Sequence, residues 1–392
     1  MSDPLSRFRK RPKFPDVPRL VRLINELPTR VEPLPRNTKL PLSRTISEKY
    51  NPMPQQNPKH KGAESLDKGE CQRIADWQIS HQPNCNLVHE STYGWDHLLL
   101  PGVGKGSGDN DDDDSIEQAR LVAGGAFRHV WMIRESDGIT KRALKTLRYE
   151  NKKNFDLRNF DRHRRDAVSM GQLTSSPLVV DIYGHCSNSA LFDWGEGGDL
   201  ESIFQREPNI SKERLLHIAY NVSLSIAHAH NFDDRGRPTI AHTDIKPDQF
   251  LYQDGYYRLT DFNRVRFLMW NKRKDEQCGF HVGKNGGIWR APEEYAYKPE
   301  TEKVDVYSLG NVLYFLLTQG TYPWNDYHSN KEVYKMVMQN KRPKIPKEIR
   351  RSDHPYDKYM VEAIGMAYTH VPEQRPSALE IANKLKEGIQ EL

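Results

Sequence analysis

Four side chains in one short stretch of this sequence could perform chemistry together. Asp244 and Lys246 lie in the segment HTDIKPDQ, which begins at His242 and ends at Gln249. Asp261 follows Gln249 by twelve residues. A carboxylate can accept a proton, an ammonium group can neutralise negative charge, and carboxylate and amide oxygens are ligands that suit Mg²⁺. These groups are the ones that phosphoryl transfer needs around the acceptor hydroxyl.

Phosphoryl transfer also needs a backbone cover and a cation for the phosphates. Residues 121–130 read LVAGGAFRHV, and the glycines allow a close backbone approach because they lack a Cβ atom. Lys145 ends the segment RALK, twenty residues after Gly125. Taken alone, a plain hairpin turn and a solvent-facing strand lysine explain these two segments at least as well.

The order of the motifs resembles that of the protein kinase family. HTDIKPDQ is similar to the family's catalytic loop HRDLKPxN, and the triplet DFN at 261–263 is similar to DFG. RAPE at 290–293 resembles the family's APE motif, and six such motifs occur in order between residues 121 and 376. The resemblance implies an α+β fold with two lobes, a small β-rich lobe followed by a larger helical lobe.

The resemblance assigns a role to each matching residue. Asp244 would orient or accept the proton of the acceptor hydroxyl, and Lys246 would neutralise charge on the transferred group. Gln249 and Asp261 would hold Mg²⁺. ATP would be bound by residues of the glycine turn, the sheet, the following helix and the link between the lobes: Val122, Gly124, Gly125, Val130, Ala143, Lys145, Asp166, Asp193 and Gly195.

Other matching residues would support the site. Asp166, found by counting back from Leu173 and Pro177, would form an ion pair with Lys145, although the family's glutamate is one methylene longer. Glu293 would pair with Arg375, and Asp305 would bond the backbone of the catalytic loop. A stacked apolar spine would contain Met170, Ile182, His242 and Phe262. Phe192 would guard the back of the adenine pocket.

The hydrophobic pattern agrees with this architecture, because it places the strands first and the helices afterwards. Strands are predicted at 120–122, 129–133, 141–147, 179–183 and 190–194, with a helix at 160–173. Beyond Asp199 the periodic segments are helical, at 212–230, 304–318, 330–339, 356–369 and 377–387.

The segment from Asp261 to Glu293 contains no serine, threonine or tyrosine. It therefore cannot be switched by phosphorylation within itself. Thr243 stands where many family members have the arginine that grips such a phosphate, so the two departures agree. We expect an active enzyme to be constitutive, or to be controlled by a partner, by localisation or by the N-terminal segment. Gly286 stands where serine/threonine kinases usually carry a threonine, yet Asp244, Lys246 and Pro247 favour that class.

Two alternatives to an active protein kinase remain open. A pseudokinase that binds nucleotide or acts as a scaffold is favoured by five residues that depart from the family's motifs: Ala123, Arg128, Asp166, Gln249 and Asn263. A small-molecule kinase of similar fold is disfavoured, because the RAPE segment and Arg375 are typical of kinases with protein substrates.

The remaining chain is expected to flank the kinase domain, which we place at 115–392. Residues 1–62 carry 14 Lys or Arg, 5 Asp or Glu and 11 prolines, so we expect a disordered basic region. It could make a weak contact with an anionic surface, or it could simply be a solvated tail; no nucleic-acid partner is indicated clearly. Residues 63–114 are expected to be poorly structured and to end in an acidic Gly/Asp linker.

Composition and cysteine use predict an intracellular protein. The N-terminus shows no secretory signal, although a basic leader of this kind is compatible with an incomplete start, and no apolar run is long enough for a membrane helix. The four cysteines form no close metal-type pair: Cys71, Cys85, Cys186 and Cys278. We expect reduced thiols and a cytoplasmic location, with a nuclear location also open; a bond between Cys71 and Cys85 in an oxidising compartment is the alternative.

Overall fold

A computed structural model of the protein describes residues 71–73, 119–125, 127–134, 139–148, 157–173, 176–186, 188–233, 236–282 and 286–392. The expected disordered region at 1–62 lies outside these residues. So does the expected poorly structured segment at 63–114, apart from one short strand, β1 (Cys71–Arg73). The described residues confirm the α+β class, because a sheet lobe is followed by a helical lobe.

A five-stranded antiparallel sheet forms the first lobe. Its strands are β2 (Ala119–Gly124), β3 (Arg128–Arg134), β4 (Lys141–Leu147), β5 (Ile182–Cys186) and β6 (Ser189–Asp193). They are arranged in the order β2-β3-β4-β6-β5. Valine, isoleucine and tryptophan, which favour pleated surfaces, are concentrated in β3. Helix α1 (Leu157–Leu173) follows β4, as predicted.

One strand begins later than the hydrophobic pattern predicts. The predicted strand at 179–183 starts at Ile182, and Val179 instead forms an isolated parallel bridge with Leu259. Val179 is therefore buried against the second lobe rather than in the sheet of the first.

Eight helices build the described part of the second lobe. They are α2 (Ile203–Arg206), α3 (Lys212–His230), α4 (Pro292–Tyr295), α5 (Lys303–Leu317), α6 (Asn330–Met338), α7 (Lys347–Arg350), α8 (Pro355–Ala367) and α9 (Ala378–Glu391). Ser211 and Ser377 cap the N-termini of α3 and α9, and Ser377 forms a capping box with Glu380.

Helices α3 and α5 are buried on all sides and form the centre of the core. A helix that is apolar around its whole circumference is expected in the interior of a large domain. Gly310 allows α5 to approach its neighbour closely, because a Cβ atom there would lie 2.9 Å from the Cβ of Ala367. One continuous cluster of buried residues runs from Ala143 in the sheet to Leu385 in the last helix.

The segment after Asp261 pairs with two distant parts of the chain. Strand β7 (Ile240–Ala241) pairs with β10 (Arg266–Phe267). Strand β11 (Met269–Asn271) pairs with β12 (Glu276–Cys278) on one side and with β1 on the other. A strand from before the sheet lobe is therefore docked on this segment. The hairpin β8 (Phe250–Gln253) and β9 (Tyr256–Leu259) completes the strands.

The prediction of reduced thiols is wrong for two cysteines. Cys186 at the end of β5 and Cys278 at the end of β12 are both disulfide-bonded. No free cysteine occurs in the part of the chain that the structure describes. Because neither bond could be recognised from close cysteine spacing, the sequence pattern did not reveal them.

None of the helices in the described ranges combines the length and the apolar character that a membrane crossing requires.

Candidate active site

The backbone of the segment HTDIKPDQ is held by one buried carboxylate. Asp305, on α5, accepts hydrogen bonds from the backbone N–H groups of His242 and Thr243, at 2.6 and 2.7 Å. The Nε2 atom of His230 lies 2.9 Å from the same carboxylate. Asp305 has no exposed surface. The predicted bond between Asp305 and the loop backbone is confirmed.

Asp244 follows a residue with an unusual backbone. Thr243 has a φ of 61°, in the left-handed region that threonine rarely adopts. The chain turns at this residue. The N–H groups of His242 and Thr243 bond to Asp305, and the carboxylate of Asp244 follows the turn. Such strained residues persist where the surrounding contacts fix them, and they are frequent at functional sites.

Two arginines orient the carboxylate of Asp244. Arg290 donates to its Oδ1 at 3.2 Å, and a guanidinium nitrogen of Arg264 lies 3.5 Å from the same oxygen. Among the described residues, the Oδ2 atom has no partner. The carboxylate is therefore fixed through one oxygen, and the other is available to an acceptor hydroxyl.

Arg290 links this carboxylate to a buried network. It also donates to the carbonyl oxygen of Thr243 at 2.8 Å and lies 3.4 Å from a carboxylate oxygen of Glu294. Burial raises the pKa of Glu294 to about 7, although Arg290 opposes the shift. No role was predicted for Arg290 beyond its place in the segment RAPE; a charged residue directly before Ala291 and Pro292 was the available signal.

Lys246 is bound to a carboxylate in its own loop. Its Nζ atom lies 2.7 Å from Oδ2 of Asp248. Burial lowers the pKa of this ammonium group, but the hydrogen bond to Asp248 and the charges of Asp244 and Asp261 raise it above its usual value overall. Lys246 therefore carries a positive charge next to Asp244, as the predicted role requires.

Asp261 starts a 3-10 helix (Phe262–Arg264) from the left-handed region, with a φ of 61°. Asn263, at the position of the family's glycine, donates to its Oδ1 at 2.5 Å. Burial would raise the pKa of Asp261, but Lys145 and Arg128 offset this effect, so the pKa lies below its usual range. The carboxylate is ionised and can bind a cation.

Gln249 supplies a second oxygen that suits a metal ion. Its Oε1 atom is buried and accepts no hydrogen bond, while its Nε2 atom donates to Asp248 at 3.2 Å. A buried polar atom without a partner is costly unless a ligand satisfies it. An amide oxygen and a carboxylate are hard ligands of the kind that Mg²⁺ prefers, and Mg²⁺ usually takes its other ligands from phosphates and water.

This donor set differs from that of a protein-enclosed metal site. Within the described ranges, no group of three or more His, Cys, Asp or Glu side chains is arranged to hold a metal ion. The residues present therefore fit a metal that arrives with a phosphate ligand.

The strand register places three predicted nucleotide residues on one face of the sheet. Val130 lies opposite Lys145, and Met132 lies opposite Ala143. Since alternate residues of a strand share a face, Val130, Ala143 and Lys145 point to the same side. Val130 and Ala143 belong to the main core, whereas Trp131, Leu144 and two further residues form a separate cluster on the other face.

The remaining nucleotide residues lie at the edges of this face. Val122, Gly124 and Gly125 are exposed at the end of β2 and in the following turn. The side chain of Asp193 is bound by Arg142 at 2.5 Å, and its backbone N–H donates to the carbonyl of Asp181. At Gly195 a Cβ atom would lie 3.1 Å from Leu251, so a larger residue there would crowd the link between the lobes.

The predicted ion pair between Lys145 and Asp166 is not formed. Asp166 accepts a hydrogen bond from Arg128 at 2.5 Å instead. Within the described residues Lys145 makes no ion pair, and its Nζ atom lies 4.6 Å from the ring centre of Phe192. The physical reason is the length of the side chains. The aspartate is one methylene shorter than the family's glutamate, and the longer cation Arg128, next to the turn, binds it in place of Lys145. Sequence spacing could not show which cation Asp166 meets.

The supporting contacts follow the prediction. Arg375 donates to both carboxylate oxygens of Glu293, at 2.6 and 3.1 Å, and both side chains are buried. In the expected spine, the rings of His242 and Phe262 are 4.7 Å apart. Met170 is fully buried, and Ile182 packs against the same core.

The comparisons with known proteins agree with this geometry. Residues 116–385 match the family described as "Protein kinase domain". The chain is similar to the RGS domain-containing serine/threonine-protein kinase A of Dictyostelium discoideum, with 26% identity over 63% of this chain and 20% of that protein. It is also similar to the serine/threonine/tyrosine-protein kinase HT1 of Arabidopsis thaliana, with 22% identity over 89% of this chain and 83% of that protein.

Coverage varies among the relatives. The serine/threonine-protein kinase CTR1 of Arabidopsis thaliana is 27% identical over 57% of this chain and 25% of that protein. The chain thus spans about a fifth to a quarter of two of these three relatives.

Proposed function

Because the chain belongs to the protein kinase family, we propose that it transfers the γ-phosphoryl group of ATP to serine or threonine hydroxyls of a protein substrate, with Mg²⁺. The observation that carries the proposal is the buried Oε1 atom of Gln249, which has no hydrogen-bond partner. The ionised Asp261 follows Thr260, whose N–H donates to the carbonyl of Gln249 at 2.9 Å. A metal ion bound with the phosphates satisfies the Oε1 atom. The relatives' names, which include serine/threonine kinases, support the residue class.

The side chains supply the parts of the reaction in the following way. Asp244 orients the acceptor hydroxyl through Oδ2, since Arg290 and Arg264 fix its Oδ1. Lys246 adds positive charge beside the transferred group, and Lys145 is available for the phosphates. Gln249 and Asp261 would hold Mg²⁺, which neutralises phosphate charge when bound.

A transfer assay with labelled ATP tests the proposal. We expect the wild-type protein with Mg²⁺ to label a generic acceptor protein, and Asp244→Asn to lose the activity because the amide cannot accept the hydroxyl proton. Asp254→Asn is the matched control, since this exposed carboxylate is also paired with an arginine, Arg258 at 2.8 Å. Hydrolysis of the product should give phosphoserine or phosphothreonine. Phosphotyrosine alone would refute the residue class.

The turn of the sheet lobe favours one alternative, a pseudokinase that binds nucleotide or acts as a scaffold. Arg128 replaces a glycine and places a guanidinium group under the turn, which departs from the family pattern. Substitution of Gln249 distinguishes the two functions. An active enzyme should gain or keep turnover with Gln249→Asn and lose it with Gln249→Ala, whereas a scaffold should bind nucleotide and show no turnover in any variant.

We further propose that phosphorylation of the segment from Asp261 to Glu293 does not control activity. The segment has no hydroxyl side chain, and Thr243 uses its own hydroxyl to donate to the carbonyl of Arg264, at 2.8 Å. Pairing with β1 and the disulfide at Cys278 supply order that a phosphate supplies elsewhere. Phosphatase treatment should leave the rate unchanged; a loss of activity that ATP restores would contradict this proposal.

The domain limits and the location are proposals as well. We propose a kinase domain at 115–392, which the family match at 116–385 supports, with the basic region before it free to contact an anionic surface.

The disulfide-bonded Cys186 and Cys278 favour an oxidising compartment over the cytoplasm. Alkylation of unreduced cell extracts tests this: both cysteines should be protected, and modification of both would restore the cytoplasmic assignment.

A further inference from the structure

Arg128 is a buried cation at a position where the family has glycine. It begins β3, directly after the turn over the phosphate site, and only 7% of the residue is exposed. A buried guanidinium group is tolerated only when charged or polar partners replace its hydration. Its partners therefore define what it does.

Both partners lie on one face of helix α1. The Nη1 atom of Arg128 donates to Oδ2 of Asp166 at 2.5 Å, and its Nε atom donates to Nδ1 of His163 at 2.6 Å. His163 and Asp166 are three residues apart, which brings side chains together on a helix surface. Arg128 thus spans from the turn to two acceptors on the helix.

His163 acts here as an acceptor and not as a second cation. Burial, followed by the charges of Arg128 and Arg162, lowers its pKa to about 2. Because its Nδ1 accepts from Arg128, the proton of the neutral ring is on Nε2. Among the described residues, Asp166 is the carboxylate that Arg128 contacts directly, and Asp166 has no exposed surface.

A second side chain next to the turn also contacts helix α1. The centre of the Phe127 ring lies 4.0 Å from the guanidinium carbon of Arg162, a cation–π contact. The turn itself is closed by a bond from Gly125 N to the carbonyl of Arg128, at 2.9 Å. Two side chains of the turn therefore bind α1 directly.

We infer that Arg128 is a positioning residue for nucleotide binding, because its guanidinium group, and not Lys145, holds Asp166 and ties the turn over the phosphates to helix α1. Lys145 is left without a carboxylate partner among the described residues and is available for the phosphates beside Asp261. The inference rests on the proposed function, which makes this turn the cover of the nucleotide.

Two double-mutant cycles test the inference, with the affinity for a fluorescent ATP analogue in MgCl₂ as the readout. In the first cycle, Arg128→Gln and Asp166→Asn should each weaken binding about tenfold, and the double variant should be no worse than either single variant. In the second cycle, the effects of Lys145→Met and Asp166→Asn should multiply. Multiplying effects in the first cycle and coupling in the second would overturn the inference.

A milder variant covers the case in which these proteins do not fold. Arg128→Lys keeps the charge, but a single ammonium nitrogen replaces the two guanidinium nitrogens that separately contact Asp166 and His163. We expect its KM for ATP to rise about tenfold while kcat changes less than about threefold. Arg351→Lys, at an exposed arginine that follows α7 in the second lobe, is the matched control and should change neither. An unchanged KM in Arg128→Lys would also overturn the inference.

The two readouts separate this inference from the proposed function. Binding of the analogue without phosphoryl transfer by the wild type would refute the proposed function, yet the first cycle would still show whether Arg128 and Asp166 are coupled. Transfer by the wild type together with independent effects of Arg128 and Asp166 would refute the inference alone.

Discussion

The two sides of the candidate site differ in how closely they follow the family pattern. Around the catalytic loop, Asp305 bonds the loop backbone and Arg375 pairs with Glu293, as expected. Around the glycine turn, the expected pair of Lys145 and Asp166 is replaced by Arg128 and Asp166. The catalytic-loop side is thus conventional, whereas the turn side has a rearranged ion pair.

The difference has a physical origin. Asp305 must accept from two adjacent backbone N–H groups at fixed positions, which few side chains can do. On the turn side the requirement is only a cation that meets a carboxylate on α1. A long guanidinium side chain from the turn can meet a shortened acid there, so the pair can change partners while the sheet stays tied to the helix.

The largest expected effect is on the catalytic-loop side. Arg375→Ala leaves Glu293 buried without its partner, which should lower the free energy of unfolding by about 3–5 kcal/mol in urea denaturation. Lys358→Ala removes an exposed pair with Glu391 and should change the free energy of unfolding far less, because exposed pairs are screened by water. Equal losses of unfolding free energy in the two variants would show that the buried pair of Arg375 and Glu293 does not stabilise the catalytic-loop side.

The two disulfide-bonded cysteines lie on different sides of the site: Cys186 in the sheet lobe and Cys278 in the segment after Asp261. Substitution of the two should therefore affect kcat differently. Cys186→Ser and Cys278→Ser should each lower the free energy of unfolding by about 2–4 kcal/mol. Because Cys278 ends a strand of the segment after Asp261, its variant should also lower kcat, whereas Cys186→Ser should leave kcat unchanged below the melting temperature. A larger loss of kcat in Cys186→Ser would reverse the comparison.

Arg290 tests how the catalytic-loop side positions its carboxylate. Arg290→Lys keeps a positive charge but cannot bind Asp244, Thr243 and Glu294 at once. We expect kcat to fall about 10- to 100-fold with little change in the KM for ATP, since Asp244 loses its orientation. Steady-state kinetics measure this, and a change confined to KM would show that Arg290 serves the nucleotide side.

The smallest expected effect is the pH dependence of the turn side. The pKa of His163 is lowered to about 2 by burial and by Arg128 and Arg162, while Asp261 opposes the shift. Below pH 6.5 the unfolded chain binds a proton that the folded state excludes. The free energy of unfolding is therefore unaffected by this group above pH 6.5. Below pH 6.5 it decreases as the pH falls, by at most about 1.4 kcal/mol per pH unit.

His163→Asn isolates this effect, because its amide oxygen can replace Nδ1 as the acceptor for Arg128. Thermal unfolding between pH 5 and pH 7.5 should show a weaker acid sensitivity in this variant than in the wild type. His217 and His228, whose pKa values are also lowered by burial, remain in both proteins and cancel in the comparison. Identical slopes would mean that His163 is not buried as a neutral ring.

The fold and the catalytic loop could be predicted because their signals are local in sequence. The helix predicted at 212–230 has those bounds in the structure, and the helices at 303–317 and 355–367 differ from prediction by one or two residues. Asp305 and Arg375 were predicted from motif order, because the resemblance to the kinase family assigns each of them a defined contact.

Contacts that depend on side-chain direction or on distant strands could not be predicted. Arg128 and Asp166 are 38 residues apart, and only the turn geometry shows that the guanidinium group points inward. His163 carried no signal at all. Strand β1 pairs with residues about 200 positions away, and nothing in its short sequence, CQR, indicates that partner. The disulfide bonds join the same class of long-range contacts.

Whether the protein is an active kinase is best decided by the initial rate of labelled phosphate transfer with Mg²⁺, for the wild type beside Asp261→Asn. We expect measurable transfer by the wild type and at least a roughly hundredfold loss in the variant, because a charge that stabilises the transition state is removed. Binding of the ATP analogue by both proteins, with no transfer by either, would contradict an active kinase and establish a nucleotide-binding pseudokinase.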